Sequence, residues 1–212
     1  MAKAKAAKTA PLPVPAVLLD AKITPDVVEV PARTAAVIDG AGPPDDPGFT
    51  RAMGALYGVA YGLKFSRKAS GRDFKVGPLE GRWWAEGAPE GVLQAPRHTW
   101  RWRLRIAVPD DVAEADVAVV VRAAVTKKGG KLEGSDEARR VTLERIPATR
   151  VGRVLHLGPY ANERASFARM EEVLAAAGLR RAQPHVEVYL SDPRRTRPEK
   201  LKTVLLGEIE GG

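Results

Sequence analysis

Apolar residues recur along this chain at two periods, and the switching between them predicts the elements. From Phe49 the residues Phe49, Met53, Leu56, Ala60 and Leu63 step by +4, +3, +4 and +3, one stripe of an amphipathic helix flanked by Tyr57 and Tyr61. In TWRWRLRIAV (99–108), Trp100, Trp102, Leu104 and Ile106 alternate with Arg101, Arg103 and Arg105. Period two over that length predicts a strand with one apolar and one cationic face. Val117, Val120, Val121, Ala124 and Val125 return to helical spacing after Pro109-Asp110-Asp111, and Lys127-Lys128-Gly129-Gly130 ends that helix.

Further segments read in the same way. VEVPARTAAVI (28–38) and KVGPLEGRWW (75–84) are extended, with a loop at GAGPPDDPG (40–48). VTLERIPATRVGRVLHL (141–157) is extended as well. A helix follows from Asn162, the expected N-cap, through Phe167, Met170 and Leu174 to Gly178. HVEVYL (185–190) and KLKTVLLGEI (200–209) are strands on either side of the turn SDPRRTRP.

Laid end to end, these elements repeat. Pro31-Ala32 and Pro147-Ala148 stand at the same distance before Gly42-Pro43 and Gly158-Pro159, with an apolar strand in each gap. Each half reads β-α-β-β, which predicts an α+β fold of tandem pseudo-twofold repeats. Its sheet should be antiparallel, with helices on one face and a ligand cleft between the halves. The repeats are expected at about 26–108 and 139–210, linked by a helix at about 111–128, in a single domain over 16–212. Residues 1–15, with Pro11, Pro13 and Pro15 among Ala and Lys, are expected to be a disordered basic tail.

Composition narrows the function classes. The absence of cysteine excludes thiol nucleophiles, thiolate metal sites and disulfides. No apolar run reaches the ~20 residues of a membrane span, so a cytoplasmic protein is expected. The formal net charge of +8 can attract anionic partners. No RNP, zinc-finger or basic-zipper pattern accompanies it, so direct nucleic-acid binding is not expected. His98, His156 and His185 lack metal-ligand spacing, and no Walker, GxSxG or HExxH motif is present, so neither metal nor cofactor is expected.

What remains is a carboxylate among aromatics. In HVEVYL, Val186, Val188 and Leu190 share one face, which is expected to pack on the helices. His185, Glu187 and Tyr189 then share the other, either as a solvated strand face or inside a closed cleft where desolvation would make Glu187 a proton carrier or counter-ion. Trp83, Trp84, Trp100 and Trp102 fall close together and, with Tyr57 and Tyr61, could wall such a cleft or fill the core. Glu80, beside a glycine bend, is a second candidate carboxylate. Arg194, Arg195, Arg197 and Lys200 form either an anion grip or a solvated turn.

HLGPY followed by a helix and then HVEVYLSDPRRTRPEKLKTVLL resembles the C-terminal signature of the GyrI-like small-molecule-binding superfamily. LYGVAYGLKF, KVGPLEGRWW and TWRWRLRIAVPDDV resemble a stand-alone branch of it, over about residues 22–210. The resemblance implies tandem SHS2 units. It also implies a place among multidrug-responsive effector domains, a DNA gyrase inhibitor, and cyclopropanoid cyclopropyl hydrolases that detoxify yatakemycin- and duocarmycin-type compounds and confer drug resistance. The family glutamate falls on Glu187 and the family aromatics on Trp84, Trp100, Trp102 and Tyr57. The expected function is water addition to an activated cyclopropane without a cofactor, with Glu187, Tyr160 and His185 catalytic and Trp84, Trp100, Trp102, Tyr57, Tyr61, Tyr189 and Glu80 around a flat lipophilic substrate. The rivals are a sequestering module that binds without turnover and an inhibitor of a DNA-processing enzyme. An exposed edge strand could support a homodimer.

Overall fold

The computed structural model describes residues 10–88, 91–126 and 135–210. Eight strands form one antiparallel sheet: β1 (Asp26–Val30), β2 (Arg33–Ala41), β3 (Leu79–Ala85), β4 (Trp100–Val108), β5 (Thr142–Ile146), β6 (Thr149–Leu157), β7 (Arg180–Tyr189) and β8 (Lys202–Glu210). Their order is β1-β6-β8-β7-β3-β4-β2-β5. The helices are α1 (Pro47–Ala69), α2 (Glu114–Thr126), α3 (Ser135–Arg139) and α4 (Glu163–Ala176). The end expected for α2, at Lys127–Gly130, lies outside the described residues, and α3 follows as a short helix that periodicity did not predict.

The repeat is realised strand for strand. β1 and β2, of 5 and 9 residues, recur as β5 and β6 at the same lengths. Gly42 and Gly158 follow β2 and β6 at φ 91° and 121°, a region that only glycine enters without strain. Val30–Gly42 and Ile146–Gly158 therefore occupy equivalent strands, as the Gly-Pro spacing predicts. Each expected first strand is in fact two. Pro31 lacks an N–H to continue a ladder, and at Pro31-Ala32 the chain leaves β1, paired with β6, for β2, paired with β4 and β5. Pro147-Ala148 separates β5 from β6 in the same way.

The strand order is unchanged when β1–β4 are exchanged for β5–β8, so a pseudo-twofold axis crosses the sheet between β3 and β7. An axis perpendicular to the sheet keeps both long helices on one face, where α1 packs on β2 and β4 and α4 on β6 and β7. Ile38, Leu56, Leu63, Trp102, Leu104 and Ile106 fill the first-half core. Val154, Phe167, Met170, Leu174 and Leu205 fill the second. Among the described residues no helix is long and apolar enough to cross a membrane.

Two expectations change on the opposite face. Val186 and Val188 do not meet the helices; they pack with Val14, Leu18, Ala21, Val204 and Leu206. The cover there is the N-terminal segment, part of which was expected to be tail. Pro11 O accepts from Lys75 N at 2.8 Å, and Val14 and Leu18 are buried. The prolines hold this segment extended, and each buried apolar side chain contributes roughly 1.5–3 kcal/mol.

Candidate functional site

At the centre of the sheet Gly81 of β3 faces Glu187 of β7. Strand parity places Leu79, Gly81, Trp83, His185, Glu187 and Tyr189 on the helix-bearing face. His185 Nε2 lies 2.9 Å from Glu187 Oε1, and its ring meets Phe167 of α4 edge-on at 4.8 Å. Trp83 Nε1 donates to Tyr189 Oη at 2.8 Å, passing directly over Gly81. A Cβ on Gly81 would lie 2.7 Å from Trp83 Nε1 and 2.9 Å from Tyr189 Oη, so this bond requires glycine beneath it. Burial, then the charge of Glu187, drives the Tyr189 phenol well above its usual range.

The second carboxyl comes from a helix start. Glu163, the first residue of α4, is only 2% exposed, against 7% for Glu187. Its pKa is pushed up to about 10, first by burial and then by the negative charge of Glu187. Two carboxyls in one desolvated space cannot both ionise cheaply, which favours the protonated form of Glu163. Glu163 Oε1 and Thr203 Oγ1 are both buried, and the Thr203 hydroxyl beside Glu163 offsets part of the rise. Tyr160, on the 3₁₀ turn before α4, stands edge-on to Tyr189 at 5.8 Å. Burial, with Glu163 and Glu187 nearby, raises its phenol to about 12, so it remains an O–H donor. His156 anchors this turn through Nδ1 to Ser166 Oγ at 2.9 Å and Nε2 to Pro159 O at 3.1 Å. The cluster thus brings the raised acid of Glu163, the carboxyl of Glu187 and the phenols of Tyr160 and Tyr189 together. A pocket of about 290 Å³ opens beside His185, between α4 and Val92–Gln94.

The sequence profile of the GyrI-like small molecule binding domain matches residues 23–206. The chain belongs to the GyrI-like family. A conserved protein of uncharacterized function from Listeria innocua is 33% identical to this GyrI-like chain over 90% of it and 94% of the other, with a TM-score of 0.80. A hydrolase from Listeria innocua is 31% identical over 89% and 93%, with a TM-score of 0.76. The EcmrR C-terminal domain, at 12% identity, shares the fold over 89% and 98% with a TM-score of 0.54. No curated protein matches the chain.

Set on the GyrI-like frame, the residues singled out from sequence fall into three groups. His185, Glu187, Tyr189 and Tyr160 come together as described. Tyr57 is half-buried on α1, its phenol pushed up chiefly by burial, and it stacks with Tyr61 at 6.4 Å. Tyr61 stacks in turn on Phe65 at 6.2 Å, and these two are 45% and 61% exposed. Trp100 touches Trp83 edge-on at 6.1 Å, with Nε1 donating to Ala95 O. Trp102 is core, buried against Phe49. Glu80 and Trp84 lie on the other face of the sheet, because each is one residue out of phase with Gly81 and Trp83. Glu80 is there ion-paired to Arg33 at 2.7 Å, so it is not a second carboxylate of this site. Arg194 pairs with Asp192 in an exposed turn. Asn162 precedes α4 without a side-chain capping bond. Glu163 was missed, because an acid in a first helical turn reads as favourable dipole chemistry, whereas Trp83, one of the four tryptophans that could wall a cleft or fill the core, is buried and bonds Tyr189. Among the described residues no group of three or more His, Asp or Glu could hold a metal ion.

Proposed function

We propose that this GyrI-like protein hydrolyses flat, electrophilic small molecules, taking as substrate the activated cyclopropane of duocarmycin-type compounds. The observation that carries the reading is the Glu163–Glu187 pair, two buried carboxyls in one desolvated space beside the Tyr160 and Tyr189 phenols. Its relatives of 30% and 31% identity described as hydrolases support the reaction class. Glu187 accepts a proton from water, whose oxygen bonds to the cyclopropane carbon. The ring C–C bond breaks, and its electron pair passes through the dienone to the oxygen, which takes a proton from Glu163. Transfer of a proton from Glu187 to Glu163 restores the pair, and the net change is addition of one water. Tyr160 holds the dienone oxygen with a hydrogen bond, His185 orients Glu187, and the Tyr57–Tyr61–Phe65 ladder receives the planar part of the substrate.

Glu187→Gln keeps the shape and removes the base. Turnover, read by mass spectrometry as gain of one water, should fall by about 10²- to 10⁴-fold while binding persists. A sequestering protein is the second reading, favoured by a buried negative charge among aromatics. It requires that the unmutated protein leave the compound intact and that Glu187→Gln weaken binding of cationic ligands. Full hydrolysis by the Gln variant would remove Glu187 from the chemistry and leave Glu163 as the carboxyl to test.

A further inference from the structure

We propose that the sheet face opposite Glu187 carries a second binding site, adjoining the pocket beside His185 at Gln183, for a flat aromatic carboxylate. A cavity of about 430 Å³ opens there, lined by Arg82, Trp84, Ala85, Ala88, Arg103 and Gln183 among others. That volume suits a ligand of two or three fused rings.

The charges around it do not balance. Arg82 of β3 stands directly across from Arg103 of β4. Like charges at such a register position repel. Arg103 is compensated by Asp39 at 2.7 Å and Glu144 at 3.2 Å. Its neighbours on this face are compensated too, Arg105 by Glu144 and Arg101 by Glu86. Glu80, the acid closest to Arg82 in sequence, is committed to Arg33. Among the described residues Arg82 has no carboxylate partner, and its Nε is buried without an acceptor. A guanidinium beside a second one, with a buried N–H unmet, calls for an anion with two oxygens in its plane.

The wall next to Arg82 defines the rest of the ligand. Trp84, two residues along the same strand and half-buried, presents an aromatic surface to the cavity. Gln183 Oε1, at the β7 irregularity, is buried without a donor and would accept from an O–H or N–H on the ring. Carboxylate on Arg82, ring on Trp84 and donor to Gln183 describe a hydroxylated aromatic acid. The helix-side cluster is built around acids and disfavours such an anion, so the two sites select opposite charges.

The test is calorimetric titration of the whole chain with 3-hydroxy-2-naphthoate and with its uncharged amide. One saturable site for the acid is expected, with the amide weaker by roughly tenfold or more. Arg82→Met, which keeps the stem, should weaken the acid by a similar factor and leave the amide unchanged. Trp84→Leu should weaken both, and Glu187→Gln neither. Absence of saturable binding, equal affinity for acid and amide, or insensitivity to both Arg82→Met and Trp84→Leu would overturn the proposal. So would loss of binding in Glu187→Gln, which would assign the acid to the helix side. Cyclopropane hydrolysis by Arg82→Met should remain at the unmutated rate, so failure of this site and failure of the hydrolase reading are separable.

Discussion

The two halves repeat the same strand order and, apart from the longer and bulged β7, the same strand lengths, yet they place opposite chemistry on the same face of the sheet. Following the registers across the pseudo-twofold, Glu187 corresponds to Gly81, Tyr189 to Trp83 and His185 to Leu79. On the outer strands Thr203 corresponds to Trp102, and His156 to Gly40. In the first half Trp102 lies over Gly40, where a Cβ would come within 2.1 Å of its ring. In the second half the equivalent space holds Thr203, and nearby Glu163, His156 and Ser166 add polar groups. One repeat thus packs an aromatic core where the other builds a polar site. The first half supplies stability and the wall of the site; the second supplies protons. A symmetric pair of glutamates at the axis would put two charges in direct register, and Gly81 avoids this while giving room to the Trp83–Tyr189 bond.

The largest test of this division concerns Trp102. Trp102→Ala should cost about 3–5 kcal/mol in urea unfolding. The symmetric change Thr203→Val keeps the outline and removes only a hydroxyl beside Glu163, so it should cost no more than about 0.5–1.5 kcal/mol. A large loss for Thr203→Val would show that the second half is as tightly interlocked as the first.

Next comes the proton held by Glu163. Its folded pKa of about 10 lies above an ordinary value of 4.5, so the folded state binds the extra proton between those limits. This contribution to stability is full below about pH 4.5 and is lost as pH rises toward 10, by up to about 1.4 kcal/mol per pH unit. Glu163→Gln removes that slope. The variant should therefore gain on the unmutated protein from pH 5 to pH 9, and parallel curves in denaturant unfolding would contradict a protonated Glu163.

A smaller effect is expected at the axis itself. Gly81→Ala forces its methyl into the Trp83–Tyr189 pair and should destabilise by roughly 1–3 kcal/mol. It should also alter tryptophan fluorescence as the indole bond is lost. The smallest effect belongs to the exposed end of the aromatic ladder, where Phe65→Ser should leave stability within about 0.5 kcal/mol. A clear loss of affinity for a flat ligand in that variant would show the ladder at work in binding.

Much of this is legible in the sequence. Period two in TWRWRLRIAV and the helical stripe from Phe49 are local signals, and equal spacing to Gly42 and Gly158 revealed the repeat. Parity grouped His185, Glu187 and Tyr189 because strand geometry leaves no alternative. What parity could not give is the identity of the layer on each side. Val186 and Val188 read as the helix-facing set, yet an extended N-terminal segment covers them, and three prolines hid its anchoring Val14 and Leu18. Glu80 and Trp84 were placed with the wrong partners for the same reason, since one residue of phase separates the two faces. Glu163 was invisible because its burial arises from contacts with β7 and β8, far away in sequence.

The exchange of outer strands has a consequence for how the molecule folds. β1 belongs to the first repeat but completes the edge beside β6, and β5 belongs to the second but completes the edge beside β2. Arg153 ties this crossing down through Asp20 and Asp26. Neither repeat can therefore close its own sheet, and pairings this distant in sequence must form before either edge is satisfied. Large loop-closure entropy of that kind slows folding toward the millisecond-to-second range and makes unfolding all-or-none. A chain cut between α2 and α3 should give two fragments that stay unstructured alone and regain the sheet only when mixed.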